Sequence, residues 1–497
     1  MTISIRPCFP RLSVVAAILF SLAGPGCSQR ASLARHLEQA EQYFKAGQYD
    51  QAEVEYLNVL HLDPRSGPAI GRLGEIYFEQ GRAGEVFPYL SKGRELQPDN
   101  LELRVKIGLF YLSAGRLKAA RDEANFVLDR QPLDPEAPLL LANAADSADE
   151  IAAARQRLQK LGSPATESAP VLVALGTLNV REHNFKEAET TFKRAQSVDP
   201  KSSAAWSALG ALDWAQSNLP EAEKAFAAAA DLAPLRSSKR LQYAQFEIQN
   251  GKVEVGRRVL VEMTEKTPDF LPAWMLLAEL AAREKKYTES AALNARVLAR
   301  DPVHLEALLL DARLQQEAGE TAKAVTKLEG ALKIYPQSAP LRYQLALAYI
   351  GNGETGKAAA SLNQATAMAP DFVDAVVLLA GLNMRRGDAK GAIISLKQLV
   401  QRHPDVLPRA WFQLAEAYRS VGDLDEAIAV YHQVEQSSPG NPQTAWLMGL
   451  IFVQQNRRDE ARQAFNKAVE ESPDYLPALE QLVDLDVAAK KFPEALQ

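Results

Sequence analysis

The chain has 497 residues, of which 47% are apolar and 24% charged, with a formal net charge of −6. That balance excludes a globally disordered chain, and with no dense Lys/Arg block it excludes a nucleic-acid face built on charge. Two cysteines, Cys8 and Cys27, exclude a disulfide framework and a cysteine-based zinc site.

The first element reads as a targeting segment. Arg6 and Arg11 precede an uncharged apolar run from Leu12 to Ala23, the size of a secretory core and too short to span a bilayer. We therefore expect residues 1–26 to be a signal peptide, residues 27–32 a short tether, and the fold to begin at residue 33. Cys27 follows the small residues Gly24, Pro25 and Gly26, with Leu22 at −5 rather than the usual −3 of a bacterial lipobox. Three readings stand: lipidation of Cys27, cleavage after Ala23 with Ser21 at −3, or an uncleaved anchor. The layout is that of a lipoprotein, since Cys27 has no disulfide partner once Cys8 is removed. Two or more acyl chains on Cys27 would hold the protein firmly at a membrane. Ser28 stands where an inner-membrane retention Asp would be, which points to the outer membrane, facing the periplasm.

From residue 33 onward the chain is periodic. Pro64, Pro98 and Pro132 are 34 residues apart, as are the seven prolines from Pro200 to Pro404; Pro439 and Pro473 follow after one 35-residue step. A fixed period of this length means stacked helix pairs. With the rung proline at position 32, position 8 is Ala or Gly in the thirteen full repeats, and position 20 is mostly Ala. Position 24 is large in most repeats (Tyr56, Phe192, Phe226, Phe465), and position 15 is often Gly. Small residues mark where helices A and B cross. Gly at 15 lets the backbone leave helix A in a left-handed conformation, and Pro at 32 cannot continue helix B. Two repeats depart. Repeat 2 carries Val86, Pro88 and Gly93, which predict a kinked or frayed B helix. Repeat 4, residues 135–166, has Thr166 for the rung proline, and both repeats are candidates for a local bend.

These residues resemble the tetratricopeptide repeat family. Trp206, Leu209, Gly210, Ala222, Phe226 and Pro234 carry its signature in one repeat; Leu73, Gly74, Tyr77 and Pro98 carry part of it in another. The resemblance implies an all-α, right-handed solenoid of tandem 34-residue helix-turn-helix units over residues 33–497, about 13 full repeats and a truncated fourteenth. In that last repeat Leu479, Leu482 and Leu485 would lack a full partner, as in a fragment of a longer chain. The lipoprotein-like start resembles, in architecture, the tetratricopeptide lipoproteins of exopolysaccharide export and PEP-CTERM protein sorting.

No motif nominates an enzyme, a cofactor or a metal. The six histidines fall at unrelated repeat positions, with no HExxH, no P-loop and no GxSxG. The resemblance implies instead a groove along the A helices for an extended peptide or a helix of another protein, and neither nucleic acid nor a small-molecule substrate. Family groove chemistry based on a Lys/Asn carboxylate clamp or an Asn ladder is absent from the matching positions. Apolar residues occupy them toward the C-terminal end: Tyr343, Leu347, Ile350, Phe412, Trp446 and Leu450, with Trp214 earlier. They either line a partner groove or pack between neighbouring A helices. Trp206, Trp274 and Trp411, at position 4, read as packing residues. The expectation is a non-catalytic interaction scaffold in a bacterial envelope; the alternative is the helical arm of a larger export channel or transferase extending beyond residue 497.

Overall fold

The computed structural model describes residues 25–403 and 408–489. Among them are 27 α-helices and one short 3-10 turn, with no strand. The helices alternate as A and B of successive repeats, from Pro25–Lys45 and Tyr49–Leu62 in repeat 1 to Leu476–Ala488, the A helix of repeat 14. The architecture is all-α, as the period predicts. The described residues fall into two compact parts, divided after Ala307. In the first, buried residues from Ala40 to Leu178 form one continuous core; in the second, a core runs from Val376 to Ala478.

The repeat positions do what their residue types suggest. Alanines at positions 8 and 20, such as Ala40 with Ala52 and Ala346 with Ala358, have no exposed surface. Where position 8 is Gly and position 24 is Phe, the ring fills the missing methyl's place. A Cβ on Gly176 would lie 2.3 Å from Phe192, and one on Gly449 would lie 2.4 Å from Phe465. Position 15 is left-handed in the described repeats other than the fourth, whether or not it is Gly: Gly47, Gly81 and Gly251 have φ between 68° and 83°, and His183, Ser217, Lys285 and Asn456 have φ of 60–62°. The turn geometry, set by the A–B crossing, holds even against the cost for an L-residue.

One regularity was not read from the sequence. In four repeats the position-4 side chain donates a hydrogen bond to the carbonyl of the rung proline before it. Trp206 bonds Pro200 at 3.1 Å, Trp274 bonds Pro268 at 2.9 Å, Arg104 bonds Pro98 at 2.6 Å and Arg342 bonds Pro336 at 2.8 Å. Trp and Arg share a long side chain with an N–H, so either ties the turn after helix B to the next helix A.

The two irregular repeats behave differently from each other. The B helix of repeat 2, Ala83–Leu96, does not fray; it runs through Pro88 at the same length as its neighbours. Val86 and Leu90 are buried, and Gly93 packs against Gly71, where a Cβ would come within 2.9 Å of its Cα. This packing holds the helix across the one backbone bond that proline removes. Repeat 4 is shortened. Its A helix is only Ala137–Asn143, and its B helix, Ala148–Gln159, starts from a Ser147/Glu150 capping box. A 3-10 turn, Ala165–Glu167, occupies the place of the missing rung.

At the ends, residues 27–32 lie within the first helix, Pro25–Lys45. Residues 1–24, with the apolar run and Cys8, lie outside the described residues, as do 404–407 (with Pro404) and 490–497. In the last helix Leu479, Leu482 and Leu485 are half-buried, while Leu476, Val483 and Val487 are exposed.

Candidate functional site

In the second part the A helices form a continuous face. The Gln316 side chain reaches the backbone carbonyl of Gln344, joining two successive A helices, and a Cβ on Gly381 would touch Gln413 of the next. Tyr343, Leu347 and Ile350 lie on the A helix Ala339–Gly351, Phe412 on Pro408–Ser420, and Trp446 and Leu450 on Pro442–Gln454. All six are half-buried. Each aromatic among them is braced by a neighbour. Tyr343 sits 5.1 Å from Phe372, Phe412 is 6.0 Å from Tyr431, and Trp446 is 6.3 Å from Tyr475 in an edge-on contact. The structure thus gives these residues a packing role and leaves part of each on the surface.

Sequence reasoning missed the polar atoms set among them. Trp446 Nε1, Gln344 Oε1 and Gln413 Oε1 are buried and have no hydrogen-bond partner. Gln344 and Gln413 stand at position 6, beside the aromatic position 5. Buried polar groups are normally paired, and leaving one unpaired costs about 1–3 kcal/mol. The repetition of Gln at position 6 was visible in the sequence; only the packing shows that its oxygen lacks a donor.

Trp214 belongs to the first part and to a different environment. It packs edge-on against Phe226 and Phe246 at 6.1 and 5.4 Å, and these two rings lie 5.0 Å apart. It is one side of this aromatic cluster.

The A face of the first part is ionic. Arg72 bonds Glu41, Glu75 and Glu102 at 3.2, 2.5 and 3.1 Å, linking repeats 1, 2 and 3. Lys106 reaches Glu79 at 3.0 Å and Glu136 at 3.8 Å, linking repeats 2, 3 and 4. Burial favours the neutral form of Lys106, but Glu79 and Glu136 outweigh it and raise its pKa. Burial pushes the Glu75 carboxyl up to about 7, against the pull of Arg72. Lys239, at the start of the repeat 7 A helix, is shifted down by its burial, with Glu136 of repeat 4 opposing.

Cys27 falls within the first helix, and its side chain lies outside the described residues. Among the described residues no group of three or more His, Cys, Asp or Glu is arranged to hold a metal ion, and no helix is long and apolar enough to cross a membrane.

Comparison with known proteins agrees with this architecture. Two tetratricopeptide repeat models match, one over residues 37–100, 173–237 and 244–302, the other over 418–483. A model described as a bacterial transcriptional activator domain matches residues 301–439, where the structure continues the same helix pairs. Among curated proteins, DnaJ homolog subfamily C member 3 of Bos taurus is 28% identical over 171 residues, 34% of this chain and 32% of that protein. BBSome complex member BBS4 of Bos taurus is 25% identical over 158 residues, 32% of this chain and 30% of that protein. The chain thus matches about a third of the length of these relatives. Among solved structures, yeast Tom70 is 14% identical with a TM-score of 0.49, covering 86% of this chain and 97% of that one. YrrB, described as a TPR protein with an unusual peptide-binding site, is 20% identical with a TM-score of 0.33, covering 38% of this chain and 96% of that one. A 34-residue period, small residues at each helix crossing, a left-handed fifteenth position and matching repeat models at both ends of the array converge: the chain belongs to the tetratricopeptide repeat family.

Proposed function

We propose that the protein is a non-catalytic interaction scaffold of a bacterial cell envelope, tethered through a lipid on Cys27 to the outer membrane and facing the periplasm. Its partner site is the A-helix face of residues 339–454. The observation that carries the partner reading is the set of unpaired polar atoms, Trp446 Nε1, Gln344 Oε1 and Gln413 Oε1, among half-buried aromatic and aliphatic side chains. Such a surface suits an extended peptide. Its main-chain N–H groups would meet the two glutamine oxygens, its carbonyl the indole N–H, and its apolar side chains the rings. Small side-chain rotations would bring these atoms to the peptide. The repeat family supports an interaction scaffold, and one relative is by its name a member of a multiprotein complex. The envelope reading rests on the leader and the lipobox-like approach to Cys27, an arrangement that resembles the lipoproteins of exopolysaccharide export.

Two measurements test the proposal. The mass of the mature N-terminal peptide from a Gram-negative host should show an acylated Cys27; an unmodified N-terminus at Gly24 would refute the tether. Photo-crosslinking from position 453, exposed beside Trp446 and Leu450, should capture a partner in intact envelopes. That capture should be lost in Gln344→Ala/Gln413→Ala while helicity is unchanged. Capture that persists in the double variant would refute the groove.

A further inference from the structure

Within the first part, the ends of a run of eight repeats touch. Arg300, the last residue of the repeat 8 B helix Tyr287–Arg300, forms a bidentate pair with Asp50 of repeat 1, both bonds at 2.8 Å. Asp50 also accepts from Gln80 of repeat 2 at 3.0 Å, and Gln80 donates to Asp269 of repeat 7 at 3.3 Å. Asp269 takes Arg236 of repeat 6 at 2.6 Å, and that guanidinium lies 4.7 Å above the ring of Tyr49 in repeat 1. The Gly84 amide, in the first turn of a B helix, donates to Asp301 at 3.3 Å. Gln80 and Asp301 are fully buried, and Asp269 is nearly so. The fit is close as well as polar. A Cβ on Gly81 would lie 2.6 Å from Pro272, and one on Gly84 would lie 2.3 Å from Val303.

The elements in contact are specific. On one side are the turns between helices A and B of repeats 1 and 2. On the other are the turns that follow the B helices of repeats 6, 7 and 8. These segments are about 190–250 positions apart in sequence, so no local propensity brings them together. A chance graze between surfaces would leave water-exposed side chains, whereas here a connected network is buried at the centre with its one bidentate ion pair at the rim. A buried network is favourable only when its members are satisfied together, so the contact is either made as a whole or lost as a whole.

We propose that this network is a clasp, which closes repeats 1–8 into a self-contacting turn and is made or lost as a unit. The clasp stands on contacts within the first part alone and is independent of the envelope assignment and of the peptide groove.

The test is a distance measurement on the full chain, with Cys8 and Cys27 replaced by Ser and spin labels on cysteines placed at the exposed positions 54 and 299. The parent should give one short separation. Gly84→Ala places a methyl 2.3 Å from Val303 and 3.1 Å from Asp301, so it acts as a wedge at the contact itself. It should lose the short separation, and Val303→Ala in the same chain should restore it. Arg300→Asp should likewise lose the short separation, and adding Asp50→Arg should bring it back. Rescue by each second substitution distinguishes a clasp from a folding defect. An unchanged short separation in both single variants, or failure of both rescues with helicity intact, would overturn the proposal.

Discussion

Gly176 and Gly330 both sit inside helices, and the structure predicts opposite outcomes for the same substitution. A Cβ on Gly176 would lie 2.3, 2.5 and 3.0 Å from three ring atoms of Phe192, against an ordinary carbon contact of about 3.5–4.0 Å. Phe192 is 2% exposed and enclosed by the repeat 5 core, so its ring has nowhere to turn. Overpacking of this kind costs about 1–3 kcal/mol, and the contact is at the severe end. Ala in place of Gly returns about 1 kcal/mol of helix propensity. The net for Gly176→Ala is a loss of about 1–2 kcal/mol. Gly330, in Thr321–Ile334, has nothing within 4 Å of its would-be Cβ, so Gly330→Ala should gain about 1 kcal/mol. Repeats of an array open locally, so the assay is amide hydrogen exchange read helix by helix in the full chain. Exchange in Ala169–Arg181 and Phe185–Val198 should quicken by about tenfold in Gly176→Ala, since about 1.4 kcal/mol is a factor of ten. Exchange in Thr321–Ile334 should slow by a comparable factor in Gly330→Ala. Phe192→Leu added to Gly176→Ala should recover part of the loss. If both glycine substitutions slow exchange, propensity alone governs and the packing argument is wrong.

Two further predictions concern backbone and charge. Ser217→Gly and Lys285→Gly should each stabilise their repeats by about 0.5–1 kcal/mol. The left-handed conformation seen at both positions costs an L-residue about 1–2 kcal/mol, and glycine's greater unfolded freedom takes back about 0.5–1; local exchange reads the gain, and unchanged protection refutes it. Glu75 titrates near 7 in the folded chain against 4.5 as a free carboxyl. A carboxyl with a raised folded pKa stabilises below its unfolded value, and that contribution is lost as pH rises through the folded value. Stability should therefore fall between pH 4.5 and about 7 more steeply in the parent than in Glu75→Gln, by denaturant midpoints across that range; parallel profiles would refute the shift.

The repeat period was fully legible in sequence because it is a local code. Alanine or glycine at position 8, alanine at 20 and a turn residue at 15 each act on helices adjacent in the chain, so the residue type and its consequence lie within one repeat. That locality makes the fold legible in residues such as Ala40, Ala52 and Gly47. It also explains why repeat 2 does not fray: Pro88 and Gly93 are poor helix residues in isolation, and only the close approach of Gly93 to Gly71 shows why that helix persists. The candidate groove was half legible. The sequence placed Tyr343, Phe412 and Trp446 at equivalent positions, but only packing showed them braced against Phe372, Tyr431 and Tyr475, and only packing left Gln344 and Gln413 with unpaired oxygens. The clasp was not legible at all. Asp50, Gln80, Asp269 and Arg300 look like ordinary turn and helix-end residues, and what joins them is the accumulated rotation of eight stacked repeats. Each small rotation is fixed by local packing, but their sum brings together residues that share no sequence pattern, so that juxtaposition exists only in the folded chain.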